Sequence, residues 1–297
     1  MTWLDYLPEI YHSFFNNPGA NYYVLLKNDK IAAFKNFQKA VSGEHFTSMA
    51  VRVGDEHRGQ GLMGKLHKGA LHLFNLKYPD IRKVMMVAQW FPGVQAHLSR
   101  SKTGKVVLRR NFLVYKVPAA KNAITNFLDQ SSEPAECETK QLNAAEIDQY
   151  ITEPTINRLL GQENMLMYSS YWFPEIKEER IVQKILKDKD TLVFASFNTT
   201  TNEVTSFSHS QLLKSPFGDR IDIHHQGNNL SDLISHMTMH MRHLLESVTD
   251  ISSLAMFILF SKEIPVANVE ESLDAFGTSW ISETFPVKEC VAIVEDC

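Results

Sequence analysis

Residues 50–67 decide the fold, and they read Ala50-Val-Arg-Val-Gly-Asp-Glu-His-Arg-Gly-Gln-Gly-Leu-Met-Gly-Lys-Leu-His67. The apolar stretch from Met49 to Val53 predicts a strand, and apolar residues at helical spacing predict a helix from Leu62 to about Leu76. Glycines in the intervening loop allow backbone amides to point outward with no side chain in the way. The helix N-terminus adds unpaired N–H groups and the positive end of its dipole. The stretch therefore predicts a binding site for a diphosphate.

The spacing of Gly59, Gly61 and Gly64 also matches G-x-G-x-x-G, the pattern of a dinucleotide-binding turn. That turn requires an acidic residue at the end of the next strand, where it binds the ribose. The next strand is predicted over residues 83–88, and it ends at Gln89-Trp90 without a carboxylate. Two short strands in hairpin spacing also precede the loop, which disagrees with a dinucleotide-binding unit.

A phosphate loop of the Walker A type is a second interpretation of the same glycines. It requires Ser or Thr after a Gly-Lys pair, because that hydroxyl binds magnesium. Gly64-Lys65 is followed by Leu66, which has no hydroxyl group, so this interpretation fails. A plain glycine-containing turn between a strand and a helix remains the alternative to a phosphate site.

The order of hairpin, strand, glycine loop and helix resembles the acetyl-CoA loop of the GNAT superfamily of N-acetyltransferases, whose motif is Arg/Gln-x-x-Gly-x-Gly/Ala. Here the motif runs from Arg58 to Met63, so Met63 stands where Gly or Ala is usual, and Gly64 follows. The resemblance implies acetyl-CoA as co-substrate, with strand amides polarising the thioester carbonyl and the loop holding the pyrophosphate. It assigns cofactor binding to Val51, Arg52, Val53, Arg58, Gly59, Gln60, Gly61, Leu62, Met63 and Gly64.

The composition is that of an ordinary globular protein, with 297 residues, 44% hydrophobic and 22% charged. The net charge of −4 gives no reason to expect a nucleic acid or an anionic membrane as partner. The longest apolar run, Leu254 to Phe260, is strand-sized and too short to span a membrane. The N-terminus lacks a secretory signal pattern. Cys137, Cys290 and Cys297 are odd in number and widely spread, which favours reduced thiols and a cytoplasmic location.

The first half of the chain predicts an α/β unit with a mixed sheet. Two strands, 21–26 and 30–34, flank the turn pair Asn28-Asp29 and precede the strand, loop and helix described above. Tyr78-Pro79 ends the helix, since proline disfavours helical geometry in the preceding residue. The strands expected after the helix are 83–88, 106–108 and 112–117, the last two as an antiparallel pair.

The second half repeats this layout without the glycine loop. Its predicted elements are strands 191–197, 203–209 and 220–224, a helix over 230–248, and strands 254–260 and 287–294. We therefore expect a GNAT-like unit in residues 1–118, a linker in 119–145, and a second unit in 146–297. That second unit is either a degenerate GNAT-like unit or an unrelated α/β domain whose elements follow the same order.

The segment Leu4-Asp-Tyr-Leu-Pro-Glu-Ile-Tyr-His12 is similar to one in vertebrate histidine N-acetyltransferases and their relatives. This closer resemblance implies transfer of acetyl from acetyl-CoA to the α-amine of a small amino acid, free L-histidine above all. Asp5 and Tyr6 are then candidates for holding the acceptor. A GNAT core usually begins with a strand and a helix before this segment, and only three residues precede Leu4 here. The oligomeric state stays open.

Acetyl transfer also needs a neutral amine and a way for the thiolate to leave. Glu44 and His45 precede the cofactor strand and are the candidate general base, with ordinary turn residues as the alternative. Relatives carry a Glu on that strand, and alignment puts Met49 there. Many GNAT enzymes protonate the thiolate with a tyrosine, and alignment puts Ser99 at that position. These departures favour the competing hypothesis of a catalytically impaired protein that binds acetyl-CoA or a protein partner.

No metal site is expected from the sequence. His236, His240 and His243 lie on one face of the predicted helix 230–248, at spacings of four and three residues. A zinc motif of the form His-Glu-x-x-His would require Glu where the chain has Met237. Packing of an amphipathic helix explains these residues better.

Overall fold

A computed structural model describes residues 19–90, 92–130, 137–161, 163, 165–168, 173–215, 218–248, 251–277 and 288–296. The strands are β1 (Ala20–Lys27), β2 (Lys30–Lys39), β3 (Phe46–Val53), β4 (Lys83–Gln89), β5 (Lys105–Pro118), β6 (Cys137–Gln141), β7 (Met165–Tyr168), β8 (Phe173–Ile176), β9 (Leu192–Asn198), β10 (Val204–Ser215), β11 (Gly218–Gln226), β12 (Ser253–Phe260) and β13 (Glu289–Asp296). The helices are α1 (Leu62–Lys77), α2 (Pro92–Arg100), α3 (Ala120–Gln130), α4 (Ala144–Tyr150), α5 (Glu153–Leu160), α6 (Glu179–Leu186), α7 (Leu230–Ser247) and α8 (Val266–Ser272).

The first half contains the predicted hairpin, strand, helix and strand. Asn28 and Asp29 both have positive φ angles, 52° and 60°, as a tight hairpin turn between β1 and β2 requires. The α1 helix covers one face of these strands, and its Phe74 contacts Phe37 of β2 and Phe46 of β3 with ring centroids 5.6 and 4.2 Å apart. This aromatic cluster holds the C-terminal part of α1 against β2 and β3.

One sheet contains every described strand except β7 and β8, in the order β1-β2-β3-β4-β13-β5-β12-β11-β10-β9-β6. The last strand of the chain, β13, lies antiparallel between β4 and β5. The other edge of β5 pairs with β12 of the second half. The two halves therefore exchange strands, because β13 completes the first half and β5 joins it to the second.

The expected antiparallel pair 106–108 and 112–117 is wrong, because both segments belong to the single strand β5. The pair cannot form, since β13 and β12 already occupy the two edges of β5. The segment 119–145 contains α3 and β6, and α3 buries Ile124 and Phe127 in the core under α7. Residues 120–130 and 137–141 of the predicted linker thus form regular elements. The division at residues 118 and 146 stays a prediction, and β13 crosses it.

The hairpin of β7 and β8 lies on the face of the sheet opposite to α1. Phe173 of β8 packs against Met49, whose side chain alternates with that of Phe46 along β3. The carboxylate of Glu175, fully buried, accepts hydrogen bonds from the amides of Val41 and Ser42 at 2.6 and 3.2 Å. This hairpin from the second half is thus tied to the turn that leads into β3.

Candidate functional site

The strands β3 and β4 form a fork. They pair in parallel only over Phe46–Ser48 with Val84–Met86, and their remaining residues diverge. The corresponding parallel strands of the second half, β11 and β12, stay paired from Asp219 to His224. Because backbone N–H and C=O groups are obligatory hydrogen-bonding groups, the two diverging arms present donors and acceptors to whatever enters between them.

A β-bulge turns the β3 arm away from β4. Phe34 pairs with Arg52 and Asn36 pairs with Met49, so the single residue Lys35 faces two residues of β3. An extra residue of this kind bends the strand that carries it and increases its twist. Val51 is 37% exposed on this arm. The predicted cofactor residues 51–53 therefore form the arm of the fork that leads directly into the loop.

The loop after β3 is open around its glycines. Gly59 and Gly61 have φ angles of 74° and 67°, a region that glycine adopts without strain. A Cβ atom added at Gly59, Gly61 or Gly64 would meet nothing within 4 Å. Arg58 is exposed and its guanidinium lies 2.7 Å from the carboxylate of Asp55. The backbone of this loop therefore lies at the surface and is not covered by neighbouring side chains.

The N-terminus of α1 has no side-chain cap. Its N-cap is Gly61, and the first intrahelical bond is donated by the Lys65 amide to the Gly61 carbonyl. The amides of residues 62–64 precede that bond and are the donors that a helix N-terminus leaves unpaired. Gln60 holds the loop beside β1, because its side-chain oxygen accepts a 2.8 Å hydrogen bond from Lys27. The helix thus offers open donors and positive dipole charge to an anion.

The second half has no open loop at the equivalent position, between β11 and α7. Only residues 227–229 connect β11 to α7, and Asn229 caps that helix by accepting a hydrogen bond from the Ser231 amide at 2.8 Å. A satisfied cap and a short connection leave no comparable set of open amides. The expected loss of the phosphate loop in the second unit agrees with this geometry.

The candidate base residues lie away from the loop. Glu44 and His45 precede β3, whereas the glycine loop follows the other end of that strand. His45 is 1% exposed, its Nε2 donates to the Pro174 carbonyl at 2.9 Å, and burial lowers its pKa. The structure therefore does not bring these two residues together with residues 58–64. Asp5 and Tyr6 lie outside the described residues.

Sequence reasoning missed Lys35 and its neighbours at the fork. Lys35 is 3% exposed, and its ammonium donates a 2.7 Å hydrogen bond to the Ser48 hydroxyl. Burial lowers the pKa of Lys35 to about 8. His67 of α1 is nearby, and burial followed by repulsion from Lys35 lowers its pKa to about 4. The sequence signal that could have identified Lys35 is its spacing along β2. Lys35 lies two residues from both Ala33 and Phe37, so it shares a strand face with these buried side chains.

A cavity of about 450 Å³ lies between the two halves on the side of the β7–β8 hairpin. Tyr168 and Phe173 line it, and Phe173 also packs against Met49 near the start of the fork. His209 of the second half is another lining residue, and neither of its ring nitrogens has a hydrogen-bond partner. Desolvation lowers the pKa of this histidine well below its usual value.

The described residues contain no group of three or more His, Cys, Asp and Glu side chains arranged to hold a metal ion. Within the same ranges, no helix has the length and apolar composition that crossing a membrane requires.

Comparison with known proteins identifies the fold of the chain. No protein-family model and no curated protein matches the chain. Among solved structures, N-myristoyltransferase of Saccharomyces cerevisiae with bound myristoyl-CoA superposes with a TM-score of 0.54 at 12% identity, covering 98% of this chain and 74% of its own. The chain has the GNAT fold. The confirmed fold class is a mixed α/β sheet built from two GNAT-like units.

Two further structures have the same overall arrangement. A tandem GNAT protein from the clavulanic acid biosynthesis pathway gives a TM-score of 0.51 at 10% identity, covering 94% of this chain and 84% of its own. A GCN5-related N-acetyltransferase from Sphaerobacter thermophilus gives 0.52 at 10% identity, covering 97% and 85%. At these identities the likeness establishes the GNAT fold and nothing finer.

Proposed function

We propose that the protein transfers an acyl group from acyl-CoA, specifically acetyl-CoA, to the amine of a small molecule. The observation that carries this proposal is the coincidence of the β3–β4 fork with an uncapped, open glycine loop at the N-terminus of α1. A fork alone would accept many ligands, and a helix N-terminus alone would accept many anions. Their combination fits a ligand with a diphosphate at one end and an extended chain.

The pyrophosphate and the extended arm of acetyl-CoA each have a candidate binding segment in the chain. Amides of residues 59–64 would hold the pyrophosphate, with Lys27, Arg58 and Lys65 as nearby cations. The arm formed by residues 51–53 would bind the extended part of the cofactor and direct backbone amides at the thioester carbonyl. The cofactor supplies an activated acyl group, and the chain holds its reacting carbonyl within reach of an amine.

The acceptor is proposed to enter from the hairpin side. Residues of both halves line the cavity beside Tyr168 and Phe173, and Phe173 also packs against Met49. The resemblance of residues 4–12 and 49–67 to histidine N-acetyltransferases supports L-histidine as the acceptor, with Asp5 and Tyr6 among its ligands. Glu44 or His45 as the base, and a cytoplasmic location, belong to the same proposal.

Two measurements test the proposal. Saturating acetyl-CoA should raise the melting temperature of the wild-type protein and of Gly69→Ala, because a ligand that binds only the native state stabilises it. Gly61→Val should show no shift, since its side chain covers the loop and opposes the positive φ angle. Thiol release is then followed with L-histidine, other amino acids and peptide amines. Absence of a wild-type shift at saturation would refute the cofactor site.

A second candidate function is acyl-CoA binding without turnover. It is favoured by the burial of His45 against Pro174 and by the position of Ser99, whose hydroxyl donates to the Ala96 carbonyl within α2. Acyl transfer would require a base at His45 and a proton donor at the position of Ser99, and neither side chain is directed to a substrate. A normal thermal shift with acetyl-CoA, together with no thiol release for any amine in the panel, would select this candidate.

A further inference from the structure

Lys35 is a buried cation at the apex of the fork. It lies on β2, on the face covered by α1, and it is 3% exposed. Its ammonium donates to the hydroxyl of Ser48, which is the last β3 residue paired with β4. Further along β3, beyond Met49, the bulge places residues 50 and 51 opposite Lys35. The amine therefore lies where the two strands separate.

No carboxylate among the described residues forms an ion pair with Lys35. Tyr23 of β1 is its cross-strand neighbour, and His67 faces it from α1. Beyond His67 lie His97 of α2 and Glu295 of β13, which bond to each other at 3.1 Å. Lysines are almost never buried without a partner, because removing the charge from water is costly. A buried lysine without a carboxylate partner, beside the point where β3 and β4 separate, is a candidate for function.

From this position we infer that the Lys35 ammonium donates a proton to the sulfur of coenzyme A as the thiolate leaves. The inference rests on the proposed acyl transfer. The amine nitrogen attacks the thioester carbonyl carbon and forms the C–N bond. The C–S bond then breaks, and its electron pair stays on sulfur. Sulfur takes a proton from Nζ, leaving free coenzyme A and a neutral lysine. The amide nitrogen loses its extra proton to solvent, and solvent reprotonates Lys35.

The acidity of Lys35 suits this role. A proton donor works best when its pKa is close to the working pH and to that of the group it protonates. Thiols of the cysteine type have a pKa of about 8.5, so a donor with a pKa near that value matches the leaving sulfur more closely than an ordinary lysine at about 10.4. Burial lowers the pKa of Lys35 to about 8. Ser99 stands where many GNAT enzymes have a proton-donating tyrosine. Lys35 would therefore supply the proton that a tyrosine supplies in those enzymes.

A binding measurement tests this inference without turnover. Coenzyme A is bound to wild type, Lys35→Met and Lys30→Met, and the rate of thiol alkylation by iodoacetamide is followed against pH. An ammonium beside sulfur stabilises the thiolate, so the bound thiol should ionise at lower pH in wild type and Lys30→Met than in Lys35→Met. Identical ionisation in all three proteins, with coenzyme A bound, would overturn the inference and leave the proposed function intact.

A kinetic measurement uses whichever amine the panel identifies. In wild type kcat should fall above about pH 8, as the donor loses its proton. Lys35→Met should lower kcat roughly 10²- to 10⁴-fold and remove that pH limb, with the Kd for coenzyme A changed less than about threefold. Lys35→Arg should not restore the rate, since guanidinium does not release its proton. An unchanged pH limb in Lys35→Met would contradict the inference, as would normal kcat.

Discussion

The ammonium of Lys35 lies 2.7 Å from the hydroxyl oxygen of Ser48, the residue at which β3 and β4 stop pairing. A buried charge is thereby held at the point where the GNAT fold opens its sheet. Within the described residues its ammonium donates to a neutral hydroxyl and forms no ion pair, so the cost of its burial is not offset by a carboxylate. We expect such a cost to be visible in the stability of the protein.

Lys35→Met should stabilise the protein while impairing its activity. The pKa is about 8 in the folded state, so the folded protein binds fewer protons than the unfolded chain between about pH 8 and 10.5. The penalty is complete below pH 8 and disappears as pH rises to 10.5. Urea unfolding at pH 7 should show a gain of about 1–3 kcal/mol, allowing for the lost bond to Ser48. A loss of stability would mean that Lys35 supports the fold.

Acid should unfold the protein through the buried histidines of the second half. Burial lowers the pKa of His236 to about 3, and lowers those of His209, His225 and His240 well below 6.5. The unfolded chain takes up these protons first, so stability is complete above pH 6.5 and falls below it. Each histidine contributes a slope of about 1.4 kcal/mol per pH unit.

Urea unfolding between pH 7.5 and 5 measures that slope. His236→Gln should reduce the slope by about 1.4 kcal/mol per pH unit, the contribution of one histidine. The same substitution at the exposed His72 should leave the slope unchanged. A slope that is the same for wild type and His236→Gln would show that His236 does not change protonation on unfolding.

The Glu175 carboxylate should hold the β7–β8 hairpin to the first half. It accepts hydrogen bonds from the Val41 and Ser42 amides and from the amide of Ile176. Glu175→Gln replaces one acceptor oxygen with a donor and leaves a buried amide unmatched, at a cost of about 1–3 kcal/mol. The exposed Glu178→Gln is the control and should change stability by less than about 0.5 kcal/mol. Equal effects would refute a special role for Glu175.

Removal of residues 288–297 should abolish cooperative folding of the whole chain. Without β13, the neighbouring edges of β4 and β5 lose their partners in the middle of the sheet. Removing Cys297 alone is the control and should leave the melting transition in place. Calorimetry measures both proteins, and a normal transition in the longer truncation would contradict the strand exchange between the halves.

Local features of the fold could be predicted from the sequence, whereas strand partners could not. The hairpins, the glycine loop and α1 depend on turn residues and apolar spacing within a few positions. The sequence predicts two strands in place of β5, because Arg109, Arg110 and Asn111 interrupt its apolar pattern. The partners of these side chains come from distant parts of the chain, as Gln226 and Glu163 do for Arg110.

The candidate site shows the same limit. The open loop follows from glycines that are adjacent in sequence, so its position could be predicted. Glu44 and His45 were proposed from their place before β3, but contacts from the β7–β8 hairpin bury His45, and no local pattern reveals them. Lys35 required knowledge of which face of β2 is covered by α1.

Hydrogen exchange of the amides of residues 59–64, with and without coenzyme A, tests the central claim most directly. In the free protein these amides should exchange fast, because the loop is open and the start of α1 is uncapped. Bound coenzyme A should protect them, while the capped start of α7 at Ser231 stays unchanged. Binding of coenzyme A that leaves residues 59–64 unprotected would contradict the account.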